Sequence, residues 1–171
     1  MPYVDVQTIH NPATGAVAPA AWGDGLRDNQ EFFIDPPACS VFDGIGQTLS
    51  NSTAAALACG SETFDNDAMH STVSNSSRIT VQTAGRYLFI VTAEFGTNAT
   101  GIRQVFFRTN GTTTLQGSRF NASNTFGSIF QAVQMIPLAV GEYVEAMGFQ
   151  NSGGNLSCIP REFAAAFLTR A

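Results

Sequence analysis

The eleven residues GRYLFIVTAEF, positions 85–95, are apolar on both faces of an extended strand. Successive strand side chains point to opposite sides, so Tyr87, Phe89, Val91, Ala93 and Phe95 share one face and Leu88, Ile90 and Thr92 the other. EFAAAFLTR, positions 162–170, does the same, with Phe163, Ala165 and Phe167 opposed to Ala164, Ala166 and Leu168. In EYVEAMGFQ, positions 142–150, Tyr143, Met147 and Phe149 oppose Val144 and Ala146. One face of each strand can line the inside of a two-layer sandwich. The other needs a cover, because contiguous apolar patches are rare on monomers. A contact between subunits supplies one, so Tyr87, Phe89, Tyr143, Phe163 and Phe167 are the predicted core and interface residues.

Composition agrees with a face that meets protein. Charged residues make up 12% of the chain, about half the usual ~25% share, and interface cores are depleted in charge. Mean hydropathy is nevertheless only +0.05, because Asn, Thr, Ser, Gly and Gln take the place of charge. No apolar run approaches the ~20 residues of a spanning helix, so no membrane partner is expected. The first ten residues, MPYVDVQTIH, have neither a basic nor a hydrophobic stretch, and no signal peptide is expected. A net charge of −5, with every cation an arginine, argues against a nucleic-acid partner, which requires a basic face.

At 171 residues one compact domain is the default, but residues 1–37 differ from the rest. HNPATGAVAP is turn chemistry. The following PAAWGDGLRDNQEFFI can form a short amphipathic helix, with Pro19 in its first turn and Trp22, Leu26 and Phe33 on one side. Asp35-Pro36-Pro37 should end it, since the residue before a proline is driven out of helical geometry. Residues 1–37 are therefore read as an N-terminal arm and residues 38–171 as a head.

The head reads as β throughout. Candidate strands are ACSVF, TAAALAC, SETF, SRITV, GRYLFIVTAEF, RQVFFRT, TTLQGSRF, SIFQAVQMIPL, EYVEAMGFQ and EFAAAFLTR, ten in all. Asn110-Gly111 lies between two of them and is the pair a type I′ hairpin turn prefers. Ten short strands at close spacing imply an all-β sandwich or jelly roll.

ITVQTAGRYLFIV, with Gly85, Tyr87 and Phe89 in a Gly-x-Tyr-x-Phe run, resembles the central signature of the complement-type globular head in the tumour-necrosis-factor-like jelly-roll superfamily. Asn110-Gly111, LAVGEYVEA and EFAAAFLTR match further motifs in order, with Glu142 where the family carries aspartate. The resemblance spans about residues 38–171 and implies a ten-strand jelly roll that assembles as a homotrimer about a threefold axis. Without a Gly-x-y repeat there is no collagen stalk. AAWGDGLRDNQEFFIDPP, ETFDNDAMH and SRITVQTAG further resemble small structural proteins of tailed bacteriophages that carry this head.

Little here points to catalysis. FDNDAMH sets Asp65, Asp67 and His70 close together, and its Asp and Asn are read as turn formers. The resemblance makes calcium at Asp65 or Asp67 conceivable, but the run of oxygen ligands in a calcium loop is lacking. Two histidines and no Cys-x-x-Cys leave almost no material for zinc, so no cofactor, metal or catalytic residue is assigned. The three cysteines, Cys39, Cys59 and Cys158, are read as buried small hydrophobes, with a Cys39–Cys59 bridge as the alternative. Six Asn-x-Ser/Thr triplets, at Asn51, Asn75, Asn98, Asn110, Asn121 and Asn155, are taken as turn chemistry. The loops GTNATG, NASNTFG and NSGGNLS are small, polar and almost uncharged, as binding loops at strand ends can be.

The function expected from this resemblance is that of a virion structural protein. The head would be a trimeric capsid-decoration or cement protein on the capsid surface. Trp22, Leu26, Phe32 and Phe33 of the arm would anchor it to the major capsid protein or another virion protein. The alternative is an adhesin at a tail tip or fibre whose polar loops bind the host surface. A hydrolase comes last.

Overall fold

A computed structural model describes residues 20–122 and 127–170, except the side chain of Ala21. Pro19 and the turn-rich stretch before it lie outside the described residues, as does most of NASNTFG. The chain divides into two compact units, Met1–Pro37 and Ala38–Ala171.

In the first unit, α1 spans Ala20–Ile34. Its last turn closes with the Asp35 amide donating to the Glu31 carbonyl at 2.9 Å, just before Pro36-Pro37. Arg27 on its solvent side lies near Asp24, Asp28 and Glu31 at 3.3, 3.3 and 3.8 Å. The sheltered positions are Gly25, Asn29 and Phe32, with Trp22 half-buried, whereas Leu26 and Phe33 are exposed. The expected Trp22–Leu26–Phe33 side is therefore not the buried one. Positions 25, 29 and 32 follow the 3.6-residue repeat along a neighbouring line.

The second unit is an all-β sandwich of two antiparallel six-stranded sheets. The first sheet runs β10 (Ser128–Leu138), β6 (Gly85–Phe95), β12 (Leu156–Thr169), β1 (Ala38–Phe42) and β4 (Ser61–Asp65), with β2 (Gln47–Leu49) also on β12. The second runs β3 (Ala55–Ala56), β11 (Tyr143–Gln150), β7 (Ile102–Thr109) and β8 (Thr113–Thr114). In that sheet β5 (Arg78–Thr80) also pairs with β11, and β9 (Ser118–Asn121) with β7. Among the described residues there are twelve strands, against the ten expected. TTLQGSRF divides into β8 and β9 because Gly117 passes so close to Val105 and Phe106 that a Cβ there would collide with both. TAAALAC shrinks to two paired residues, since Leu57 and Cys59 turn into the core. β2 was not anticipated, and β12 starts six residues before the expected Glu162.

The core joins the sheets through aromatic rings. Phe89 of β6, Phe163 of β12 and Phe107 of β7 form a triangle with centroids 6.2, 6.2 and 6.3 Å apart. All three are fully buried, as is Tyr87, whose hydroxyl donates to the Thr83 carbonyl at 2.6 Å. Phe167 packs edge-on to Tyr87 at 5.4 Å. Gly85 is required beneath it, because a Cβ there would run into the Phe167 ring.

Asn110-Gly111 forms the expected turn between β7 and β8. Both residues have positive φ, 50° and 70°, and the Thr112 amide donates to the Thr109 carbonyl at 3.1 Å. Phe89→Ala should destabilise the head by about 3–5 kcal/mol through the cavity it opens. Gly111→Val should cost about 1–3 kcal/mol from its forced positive φ. Equilibrium denaturation measures both, and a parent-like midpoint for either variant refutes its assignment.

Candidate functional site

The outer surface of the first sheet is an open apolar face built by strand register. Met135, Leu88 and Ala166 stand side by side on β10, β6 and β12, and the next row is Val133, Ile90 and Ala164. β1 and β4 extend that second row with Ser40 and Phe64. Met135 is 67% exposed, Val133 51% and Phe64 50%. Ala164 and Ala166 are small beside Ile90 and Leu88 on one side, and Ser40 and Ala38 of β1 adjoin them on the other.

Toward one end this face becomes polar. The third row pairs Gln131, Thr92 and Glu162, and Gln131 donates to the Thr92 hydroxyl at 3.3 Å. Beyond it, the Arg161 Nε donates to Glu94 at 2.8 Å. Apolar rows bounded by a polar rim are the anatomy of a protein contact surface.

The predicted residues divide between different places. Tyr87, Phe89 and Phe163 lie together inside the sandwich, and Phe167 packs beside them. The open face is made by the side chains that alternate with them. Tyr143 is on the outer surface of the second sheet, where the Arg78 guanidinium lies 4.2 Å from its ring centre. Cross-strand pairing exposed the contribution of β10 and of Phe64, which reading single strands missed.

The second sheet covers much of its outer surface from within the chain. Glu145 of β11, 3% exposed, accepts from Arg108 Nε at 2.9 Å and lies 3.4 Å from Arg78 Nε. Met147 and Phe106, opposite one another on β11 and β7, are both buried. Nothing in the sequence pattern marked Glu145, because its partners are 67 and 37 residues away.

At one end of the sandwich, loops are tied together by buried polar groups. Arg103, 1% exposed, donates to the carbonyls of Asn98, Thr100 and Ile102, each at 3.0 Å. Gln150, fully buried, donates to the carbonyls of Leu49 and Gly154 at 2.9 and 2.8 Å. Asn51 Oδ1 accepts from the Gly153 amide at 2.8 Å, and Asn151 Oδ1 from the Ile102 amide at 2.6 Å. GTNATG and NSGGNLS are thus fixed surfaces of uncharged polar groups.

FDNDAMH is a structural turn. The Asp65 carboxylate accepts from the amides of Asp67, Met69 and His70 at 3.2, 3.0 and 2.8 Å, which occupies both oxygens. The Asn66 Oδ1 accepts from the Ala38 amide at 2.6 Å. Asp67 accepts from the Thr83 hydroxyl at 3.2 Å, and burial pushes its carboxyl pKa upward. Among the described residues no group of three or more His, Cys, Asp or Glu could hold a metal.

No protein-family model matches the chain, and no curated protein matches it in sequence. Solved structures do match in fold. The globular domain of zebrafish complement 1qA is 15% identical with a TM-score of 0.57, covering 79% of this chain and 99% of that one. Eiger TNF from S. frugiperda is 14% identical at the same TM-score, covering 79% and 95%. The head has the tumour-necrosis-factor-like jelly-roll fold. At such identities the likeness concerns fold alone.

Cys39, Cys59 and Cys158 are free and fully buried, so the Cys39–Cys59 bridge is not formed. Burial raises the thiol pKa values of Cys59 and Cys158 to about 12 and pushes that of Cys39 up as well. A disulfide reagent at about pH 8 should leave the folded protein unmodified, because the thiolate is the nucleophile. All three cysteines should react once the chain is denatured. Rapid labelling of the native protein would contradict their placement in the core.

Proposed function

We propose that the chain is a homotrimeric structural protein of a tailed-phage particle, a capsid decoration or cement protein. Residues 1–37 attach it and the jelly-roll head projects. The open apolar face of the first sheet carries the trimeric part of this reading. Fully burying a side chain such as Val133, Met135 or Leu88 is worth about 1.5–3 kcal/mol, and a second copy would cover them. The trimeric habit of the resembling superfamily points the same way. The phage assignment draws on the similarity of AAWGDGLRDNQEFFIDPP, ETFDNDAMH and SRITVQTAG to phage structural proteins. On α1, Leu26, Phe33 and Ile34 are 36%, 75% and 83% exposed, leaving apolar groups for a virion partner.

A second reading, an adhesin of the tail tip or fibre, is favoured by the loops fixed through Arg103 and Gln150. Rigid polar loops lose little entropy when they bind. No catalytic role is proposed.

Light scattering at micromolar concentration should return about three chain masses. Val133→Glu combined with Met135→Glu should yield a folded monomer, since both side chains are more than half exposed in the single chain. A stable soluble parent monomer refutes the trimer.

Attachment is tested by adding purified protein to capsids stripped of it and pelleting. Deleting residues 1–34 should leave the head folded and abolish co-sedimentation. Phe33→Ala should weaken attachment by about 2 kcal/mol, as loss of an aromatic anchor does. Capsid binding by the armless head would place attachment in the head. Binding of the intact protein to tails or host envelope, and not to capsids, would favour the adhesin.

A further inference from the structure

A polar depression of ≈ 260 Å³ lies against β5 and the loop before it, on the second sheet's side of the head. Arg78, Thr80 and Gln82 form one wall, and Ser71, Ser74 and Asn75 line the loop side. No carboxylate lines it, although the chain as a whole carries a net charge of −5.

Arg78 is held and only partly used. Its guanidinium carbon lies over the Tyr143 ring, 4.2 Å from the ring centre. Only its Nε approaches Glu145, at 3.4 Å. Arg108 is the closer partner of that carboxylate, at 2.8 and 2.9 Å through two nitrogens. One acid between two arginines leaves the cluster with an excess positive charge. The terminal nitrogens of Arg78 make no hydrogen bond among the described residues. Arg78 is one of the residues that line the depression, and a guanidinium fork with free donors suits a pair of anionic oxygens.

The rest of the depression offers uncharged hydrogen-bonding groups. The Thr80 hydroxyl and the Asn75 carboxamide have no partner among the described residues, and both line the space. Ser71 and Ser74 hydroxyls lie 3.4 Å apart at its edge. His70 is not free to contribute a ring nitrogen, since Nδ1 lies 2.8 Å from Glu62 and Nε2 3.0 Å from the Ser76 carbonyl. The space suits about one hexose ring and is smaller than the usual pocket for a drug-sized ligand.

We infer that this depression binds an acidic sugar, its carboxylate on Arg78 and its hydroxyls on Thr80, Asn75 and the serines. The ligand could be the free sugar acid or the end of an acidic saccharide chain, which present the same chemistry. This inference does not depend on how the head assembles or what it is attached to.

Calorimetric titration of the full-length protein tests it with glucuronate, glucose, inorganic phosphate and a disaccharide ending in glucuronate. Glucuronate should bind roughly tenfold or more tightly than glucose, as expected for a charge-assisted pair. Phosphate should bind more weakly than glucuronate, because it lacks the hydroxylated ring. Comparing the disaccharide with glucuronate distinguishes chain end from free acid. Arg78→Gln should abolish binding. Because this variant also disturbs Glu145, Thr80→Val serves as the second, isosteric change and should weaken glucuronate roughly three- to tenfold. The inference fails if glucuronate does not bind the parent, if glucose or phosphate equals it, or if a folded Arg78→Gln binds like the parent. Parent-like binding by Thr80→Val likewise overturns the proposed wall. None of these failures bears on trimer formation or capsid attachment, which are measured separately.

Discussion

The triangle of Phe89, Phe107 and Phe163 is the contact on which the head depends, because it joins the two sheets at their centre. Phe89 and Phe163 come from adjacent strands of the first sheet, and Phe107 reaches them from the second. Their strands alternate, so placing these rings inside determines which residues emerge outside. With Phe89 inward, Leu88 and Ile90 must face outward. With Phe163 inward, so must Ala164. A register slip of one residue would exchange these sets and bring Arg86 and Glu94 of β6 into the core. The open apolar face is a consequence of how the interior is locked.

The two sheets handle their outer faces differently. On the second, Glu145 is buried between Arg108 and Arg78, and Arg78 in turn lies over Tyr143. Removing one partner of such a buried cluster is expensive, because it strands the other charge. The second sheet thus completes part of its outer surface with its own side chains. Among the described residues the first has no corresponding cluster across its apolar rows, and its Glu94–Arg161 pair stands at the polar end. This asymmetry is why the first sheet, and not the second, is the surface proposed to meet a second copy.

Local pattern was readable wherever a strand's own residues settled its position. β1, β6 and β10 occupy the expected spans, and the Asn110-Gly111 turn has the dihedral angles its residues favour. What could not be read depends on pairing across long separations. β2 is a three-residue strand with no alternation to detect, and it exists because the early part of β12 is there to pair with it. That early part contains Pro160, which lacks an amide donor. The strand tolerates it at a register shift between Pro160 and Glu162. The α1 side was misplaced for a different reason. A glycine and an asparagine, Gly25 and Asn29, hold sheltered positions that a search for apolar side chains passes over.

Low charge takes on a physical meaning once the arginines are located. Arg103 closes a loop through carbonyl oxygens alone, Arg108 neutralises Glu145, Arg161 holds Glu94, and Arg119 lies on Gln104 at 3.3 and 3.1 Å. Of these, Arg108 and Arg161 are matched by carboxylates, whereas Arg119 is held by a neutral carboxamide and keeps its charge at the surface. Arg78 differs because its hydrogen bond uses the side nitrogen and leaves the end of the fork uncommitted. The surfaces available to partners therefore divide by chemistry. The first sheet offers apolar rows with Arg86, Glu94 and Glu162 toward their ends, the tied loops offer neutral hydrogen-bonding groups, and Arg78 offers a positive point beside hydroxyls. Each relies on a different interaction, so the head can assemble through the first without occupying the other two.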